Sequence, residues 1–175
     1  MKQLLVRAAV AVMLVAIGVV PAVAQTSAPK PPPTYEQVIV NTWKNLHNKI
    51  LAMAKDTVFP DAKLGWKPHP DSRSVIEELR HVTIGLEMTT ARAKGQDYDF
   101  TAKEKEFSAR PQTRAAVVAE MEAAIAASYA VLDTPGHKPM PQLIGWLDHQ
   151  GEHYGKLVTS YRVNGIVPPI SRPKS

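Results

Sequence analysis

Residues 95–112 read GQDYDFTAKEKEFSARPQ, and this stretch decides how the rest of the chain is arranged. It shows no sustained apolar periodicity, so it is expected to connect elements rather than to form one. It is also long. At about 3.3 Å per extended residue it can run some 50 to 60 Å, more than the roughly 30 Å of a twenty-residue helix. The elements on either side can therefore lie parallel, joined end to end by a crossover.

Both flanks read as helices. Upstream, Ser74 and Glu77 make a capping-box pattern that opens a helix with the core stripe Val75, Leu79, Val82 and Leu86, running to about Lys94 and stopped by Gly95. Downstream, Thr113 to Leu132 is alanine-rich and favours a helix strongly. The connection after it, DTPGHKP over residues 133–139, is short enough to force an antiparallel neighbour. That fourth helix starts near Met140 or Pro141, carries Leu143, Leu147, Tyr154, Val158 and Tyr161 on one face, and ends at Asn164 and Gly165.

The first helix is announced by a second capping box, Thr34 with Gln37. Its apolar positions Tyr35, Val38, Ile39, Trp43, Leu46, Ile50, Leu51 and Met53 recur as far as about Phe59. PDAKLGWKPHPDSR, residues 60–73, then breaks the pattern with prolines and a glycine. The tail IVPPISRPKS, residues 166–175, is expected to be non-helical and to lie across the bundle or hang free. With no strand pattern and no repeat, the fold class is all-α, a four-helix bundle.

The chain opens with Lys2 and Arg7, continues with the apolar run AAVAVMLVAIGVV, and reaches the small residues Ala22 to Ala24 before Gln25. Residues 1–24 read as a secretory signal peptide, so the mature chain is expected to be periplasmic or secreted. The apolar run is short for a membrane span, and no later segment is expected to be one. Residues 25–33, QTSAPKPPP, form a proline-rich leader, and residues 34–175 form a single domain.

Cysteine is absent from all 175 residues, which excludes a disulfide framework; stability must come from an ordinary core. The formal charge of +5 falls to about +3 without the signal segment, and the cations are interleaved with acids, as in TAKEKEFSAR. This speaks against a nucleic-acid partner. A small-molecule substrate is the expected partner, and a homodimer is compatible with the sequence.

LDHQGEHYGKL, residues 147–157, places His149 and His153 four apart, and His149 to His153 spell H-x-x-E-H. In inverzincin peptidases that motif needs a downstream carboxylate as third zinc ligand. Residues 154–175 contain no Asp, Glu, His or Cys, so the peptidase reading fails. The spacing survives: residues at i and i+4 share one helix face, and both imidazoles can ligate one ion. Candidates for a third ligand are His47, His69, His81 and His137. His81 is the best placed, at the edge of its helix stripe, with Gly85 removing bulk beside it and Glu78 one turn back to accept from the spare ring nitrogen. His47 reads as a surface residue or a support to the site.

Trp43, Trp66 and Trp146 can line a pocket, although large aromatics at helical spacing are more often core. Asp148 and Glu152 are candidate general bases with the solvated reading favoured, as it is for Arg162 and Arg172.

Taken together, LGWKPHPDSRSVIEELRHV (64–82), WLDHQGEHYGKLVTSYRVNGIVPP (146–169) and TWKNLHNKILAMA (42–54) resemble the DinB-like proteins over essentially the whole mature chain. The resemblance implies a bundle in up-down-down-up order, with His81, His149 and His153 as a metal triad. Characterised relatives include thiol-dependent transferases and isomerases that use bacillithiol or mycothiol, with the metal activating the thiol. Those relatives work in the cytoplasm, whereas this chain carries an export signal.

Three neutral imidazoles leave a tetrahedral ion one open position, the pattern of catalytic sites. Zinc is the first choice of divalent metal; nickel, iron and manganese also accept histidine. The expected function is a metal-dependent hydrolase or thiol transferase of unknown substrate, the alternative a non-catalytic helical binding or stress-related protein.

Overall fold

The computed structural model describes residues 31–137 and 141–173. The expected signal segment and the leader up to residue 30 lie outside the described residues. Five α-helices and no strands are present among the described residues: α1 (Tyr35–Lys55), α2 (Val75–Ala93), α3 (Phe100–Ser108), α4 (Arg114–Leu132) and α5 (Gln142–Val163), with one-turn 3₁₀ segments at Asp61–Lys63 and Pro169–Ser171.

Both capping boxes form. Thr34 N donates to Gln37 Oε1 at 2.8 Å and Ser74 N donates to Glu77 Oε2 at 2.7 Å, while each cap hydroxyl accepts from the backbone three residues on. These reciprocal bonds satisfy amides that a helix start otherwise leaves open. α1 ends at Lys55, short of the expected Phe59. Phe59 instead turns inward from the loop, fully buried, with its ring 4.7 Å from that of Tyr161. Arg114 holds this exit by donating to the carbonyls of Ala54 and Phe59 at 2.7 and 2.6 Å.

α3 overturns the expectation of an irregular connection. Asp99 caps it by accepting from Ala102 N at 2.9 Å, and Phe107 is its one buried residue. A helix anchored by one apolar side chain has no stripe, which is why periodicity does not reveal it. Its C-terminal end is held from outside by Arg80, buried at 4% exposure on α2, which donates to the carbonyls of Phe107 and Pro111 at 2.9 and 2.6 Å. Coiling nine residues to about 13 Å shortens the crossover, yet it still joins α2 to α4.

α2 is covered on nearly every side. All of Val75 to Thr90 is buried except Glu77 and the half-exposed Glu87, because α3, α4 and α5 all pack on it. On α1 and α4, the Tyr129 hydroxyl reaches Lys44 O and Lys55 pairs with Glu122. On α1 and α5, the Tyr161 hydroxyl donates to Met53 O at 2.8 Å. Trp43, Ile50, Val82, Leu86 and Leu157 are fully buried where the four long helices meet, and the Trp43 indole donates to Ser128 Oγ at 3.0 Å.

By length and composition α4 is apolar enough to cross a membrane, against the expectation that no later segment is a candidate. Its apolarity is largely alanine, and Val117, Met121, Ala124 and Ile125 pack into the core. The tail also differs from expectation in forming a 3₁₀ turn, which packs on α1. Arg172 binds Asp56 through both guanidinium nitrogens there, so it serves the tail rather than a ligand.

Candidate metal centre

α5 places His149 and His153 one turn apart, and the Nε2 atoms of the two rings stand 3.0 Å from each other. α2 brings His81 to the same spot, its ring centroid 4.6 Å from that of His153 and 5.9 Å from that of His149. One ligand atom from each of the three histidines lies within 4.8 Å of the others. His153 is 2% exposed, His81 8%, and His149 half-buried at the rim with its ring edge-on to Trp146 at 5.7 Å.

Two carboxylates meet two of these rings. His153 Nδ1 donates to Glu78 Oε1 at 2.5 Å, and His81 Nδ1 donates to Glu104 Oε1 at 3.3 Å. A carboxylate only accepts, so in the neutral imidazole Nδ1 carries the proton and Nε2 the lone pair. The sequence expectation paired Glu78 with His81. Glu78 points at α5 instead, and the partner of His81 comes from α3, a helix without an apolar stripe whose one local signal is the Asp99 cap.

The electrostatics favour ligation. Burial, then the charges of Arg73 and His153, push His81 down from 6.5 to about 4, and burial followed by His153 lowers His149. Both are therefore neutral at pH 7, the form that binds metal. Burial opposes ionisation of Glu78, but its hydrogen bond to His153, with the charges of His153, Lys156 and Arg73, holds its carboxyl below the ordinary range. For Glu104 burial likewise opposes, and the bonds to Arg73 and His81 prevail.

The donor set fits a metal. Nitrogens each about 2.0–2.1 Å from a tetrahedral zinc stand roughly 3.3 Å apart, close to the separation of the His149 and His153 Nε2 atoms. Without a cation or a proton between them, two Nε2 lone pairs at that distance repel.

Gly85 does not make space for His81 as expected. A Cβ there would stand 2.7 Å from Nε2 of Gln150, which is 1% exposed and donates to Val82 O at 3.3 Å. Gly85 thus admits the Gln150 amide and lets α2 and α5 approach. An open groove of about 1600 Å³ runs from the loop before α2, past Arg73 and Glu104, to His81, Glu152 and Lys156.

The remaining candidates fall elsewhere. His69 is exposed, and His137 lies near Leu143 away from the triad. Asp148, Glu152 and Arg162 are exposed. Trp43 is core, whereas Trp66 and Trp146 are partly buried against it. His47 is neither surface nor ligand: it is 1% exposed, 4.3 Å from the Trp43 ring, and its Nδ1 donates to Trp43 O at 2.8 Å.

His47 carries a pH prediction. Burial pushes it from 6.5 to about 4, the carbonyl bond opposing only in part. The unfolded ring protonates near 6.5 and the folded ring only near 4. The stability this gives is whole above pH 6.5 and is lost as pH falls through that window, about 3 kcal/mol in all. Urea unfolding of chelator-treated protein at pH 7, 5 and 4 is expected to show a shallower loss for His47→Leu than for wild type. Equal slopes would contradict the assignment.

A comparison with protein-family models matches residues 39–157 to the DinB superfamily, a span that runs from α1 into α5 and holds all three histidines. No curated protein matches the chain.

Proposed function

The chain belongs to the DinB superfamily, and on that premise we propose that it is an exported protein in which His81, His149 and His153 hold one divalent metal ion in the service of a hydrolase or thiol-transferase reaction on a small molecule. The observation that carries this reading is the convergence of the three imidazoles, two of them with Nδ1 engaged on carboxylates and the Nε2 atoms of His149 and His153 facing each other. An ion held by three neutral imidazoles lowers the pKa of a bound water or thiol toward neutral and supplies the nucleophile.

The chain's own groups do the rest. Glu78 holds the tautomer of His153, α2 and α5 bury that ring, and the groove is roomier than the few hundred to 1,000 Å³ of common small-molecule pockets. Glu152, an exposed carboxylate on that groove one residue before His153, is the candidate general base under the hydrolase reading. Zinc is the first choice of ion, with nickel, iron and manganese acceptable to the same donors. Export rests on residues 1–24, with 34–175 as the mature domain.

We read the bundle as up-down-down-up with α3 in the crossover. The middle of α1 meets the end of α4 at Lys44 and Asp133 and its last residue Lys55 meets Glu122 further back along α4, while Lys49 and Met53 meet Tyr154 and Tyr161 in the same order on α5. Between α2 and α5 the order is reversed, Glu78 meeting His153 and Arg92 meeting Trp146.

The test is the metal content of the untagged mature protein beside a His149→Ala, His153→Ala double variant. Near one equivalent in wild type, lost in a variant that stays helical, is expected. Negligible metal in both after incubation with zinc would overturn the metalloenzyme reading and favour the non-catalytic alternative.

A further inference from the structure

We propose that Glu104, carried by the crossover helix α3, is a positioning residue of the metal centre that holds His81 with its Nε2 turned toward His149 and His153. The inference rests on the metal reading above and concerns a residue outside the two helices that carry the histidines.

Glu104 Oε1 stands 3.3 Å from His81 Nδ1 and 3.1 Å from the Arg73 guanidinium, so one oxygen is shared between the ligand and a cation from the loop before α2. One turn earlier on α3, Phe100 sets its ring edge-on to the His81 imidazole, centroids 5.3 Å apart. The same helix face therefore supplies a polar and an apolar stop to rotation of the ring. Glu78, the buried carboxylate beside the triad among the described residues, is committed to His153 and Lys156.

The placement of α3 is itself fixed. Phe107 is sunk to 1% exposure, and Arg80, the residue before His81 in sequence, grips the carbonyls at the end of α3. α2 thus presents Arg80 to one part of the crossover and His81 to another. A carboxylate on the far ring nitrogen fixes the tautomer and raises the basicity of the ligating one, and loss of such a partner lowers metal affinity about 10- to 100-fold.

The experiment compares wild type, Glu104→Ala and Glu104→Gln as purified untagged mature protein. Zinc affinity is read by competition with a chromogenic chelator, the visible spectrum of the cobalt(II) form reports coordination geometry, and metal-free melting temperature monitors the fold. Glu104→Ala is expected to bind zinc about 10- to 100-fold more weakly with an altered cobalt spectrum, and Glu104→Gln, which keeps an acceptor oxygen, to recover part of both. Melting temperatures without metal are expected to agree.

Affinity and spectrum unchanged in Glu104→Ala would overturn this inference and leave the metal reading intact. No recovery in Glu104→Gln, with a lowered metal-free melting temperature in both variants, would overturn it in favour of a structural role. Failure of wild type to bind zinc or cobalt would overturn both.

Discussion

His153→Ala is expected to leave less than about a tenth of an equivalent of bound zinc after dialysis and also to destabilise the metal-free protein by about 3 kcal/mol, whereas His149→Ala loses the metal with little change in metal-free stability. The difference lies in what each ring leaves behind. His153 is buried against Glu78, itself 5% exposed, and its removal takes away that carboxylate's hydrogen bond, leaving Lys156 at 3.9 Å and the more distant charge of Arg73. His149 is half-buried beside Trp146 and among the described residues no carboxylate hydrogen-bonds its ring, so its removal strands no buried charge there. Metal content together with urea unfolding of chelated protein separates the cases. A retained equivalent in either variant, or equal metal-free stability in the two, would contradict the assignment.

The second large effect is expected at Arg80. Arg80→Met keeps the aliphatic stem but removes the guanidinium that serves Phe107 O, Pro111 O and the Glu120 carboxylate, whose side chain is 15% exposed. Breaking one side of a buried ion pair with orphaned carbonyls beside it costs about 3 kcal/mol or more. The loss is expected to concentrate in the crossover, so backbone amides of Phe100–Ser108 should exchange with solvent well before those of α2. Stability within about 0.5 kcal/mol of wild type, the range of an ordinary surface change, would show that Arg80 does not hold α3.

The four long helices were legible because each announces itself locally. Thr34 with Gln37 and Ser74 with Glu77 are capping boxes in the letters and in the structure, and Gly95 closes α2 at φ 70°. His81, His149 and His153 were legible because i and i+4 spacing survives folding and the stripe of α2 sets which face His81 adopts. The support around them was not. Glu104 belongs to a helix with one buried residue, and its tie to His81 spans the chain between α2 and α3. The partner of Glu78 depends on how α2 meets α5, which no local pattern encodes. His47, expected at the surface or as a support to the site, follows Trp43 by one turn, and only tertiary packing decides that it is buried there.

The packing of α2 against α5 has a thermodynamic consequence. His149 and His153 stay close in sequence in any conformation, but His81 joins them only when these two helices meet. The unfolded chain keeps at best a pair of ligands, and the native chain has three. An ion at about 100 times its dissociation constant then adds roughly 2.7 kcal/mol to the folding equilibrium. On the proposed metal reading the ion would be a rivet across the seam between two helices that are distant along the chain, and a compartment poor in that metal would hold a softer protein.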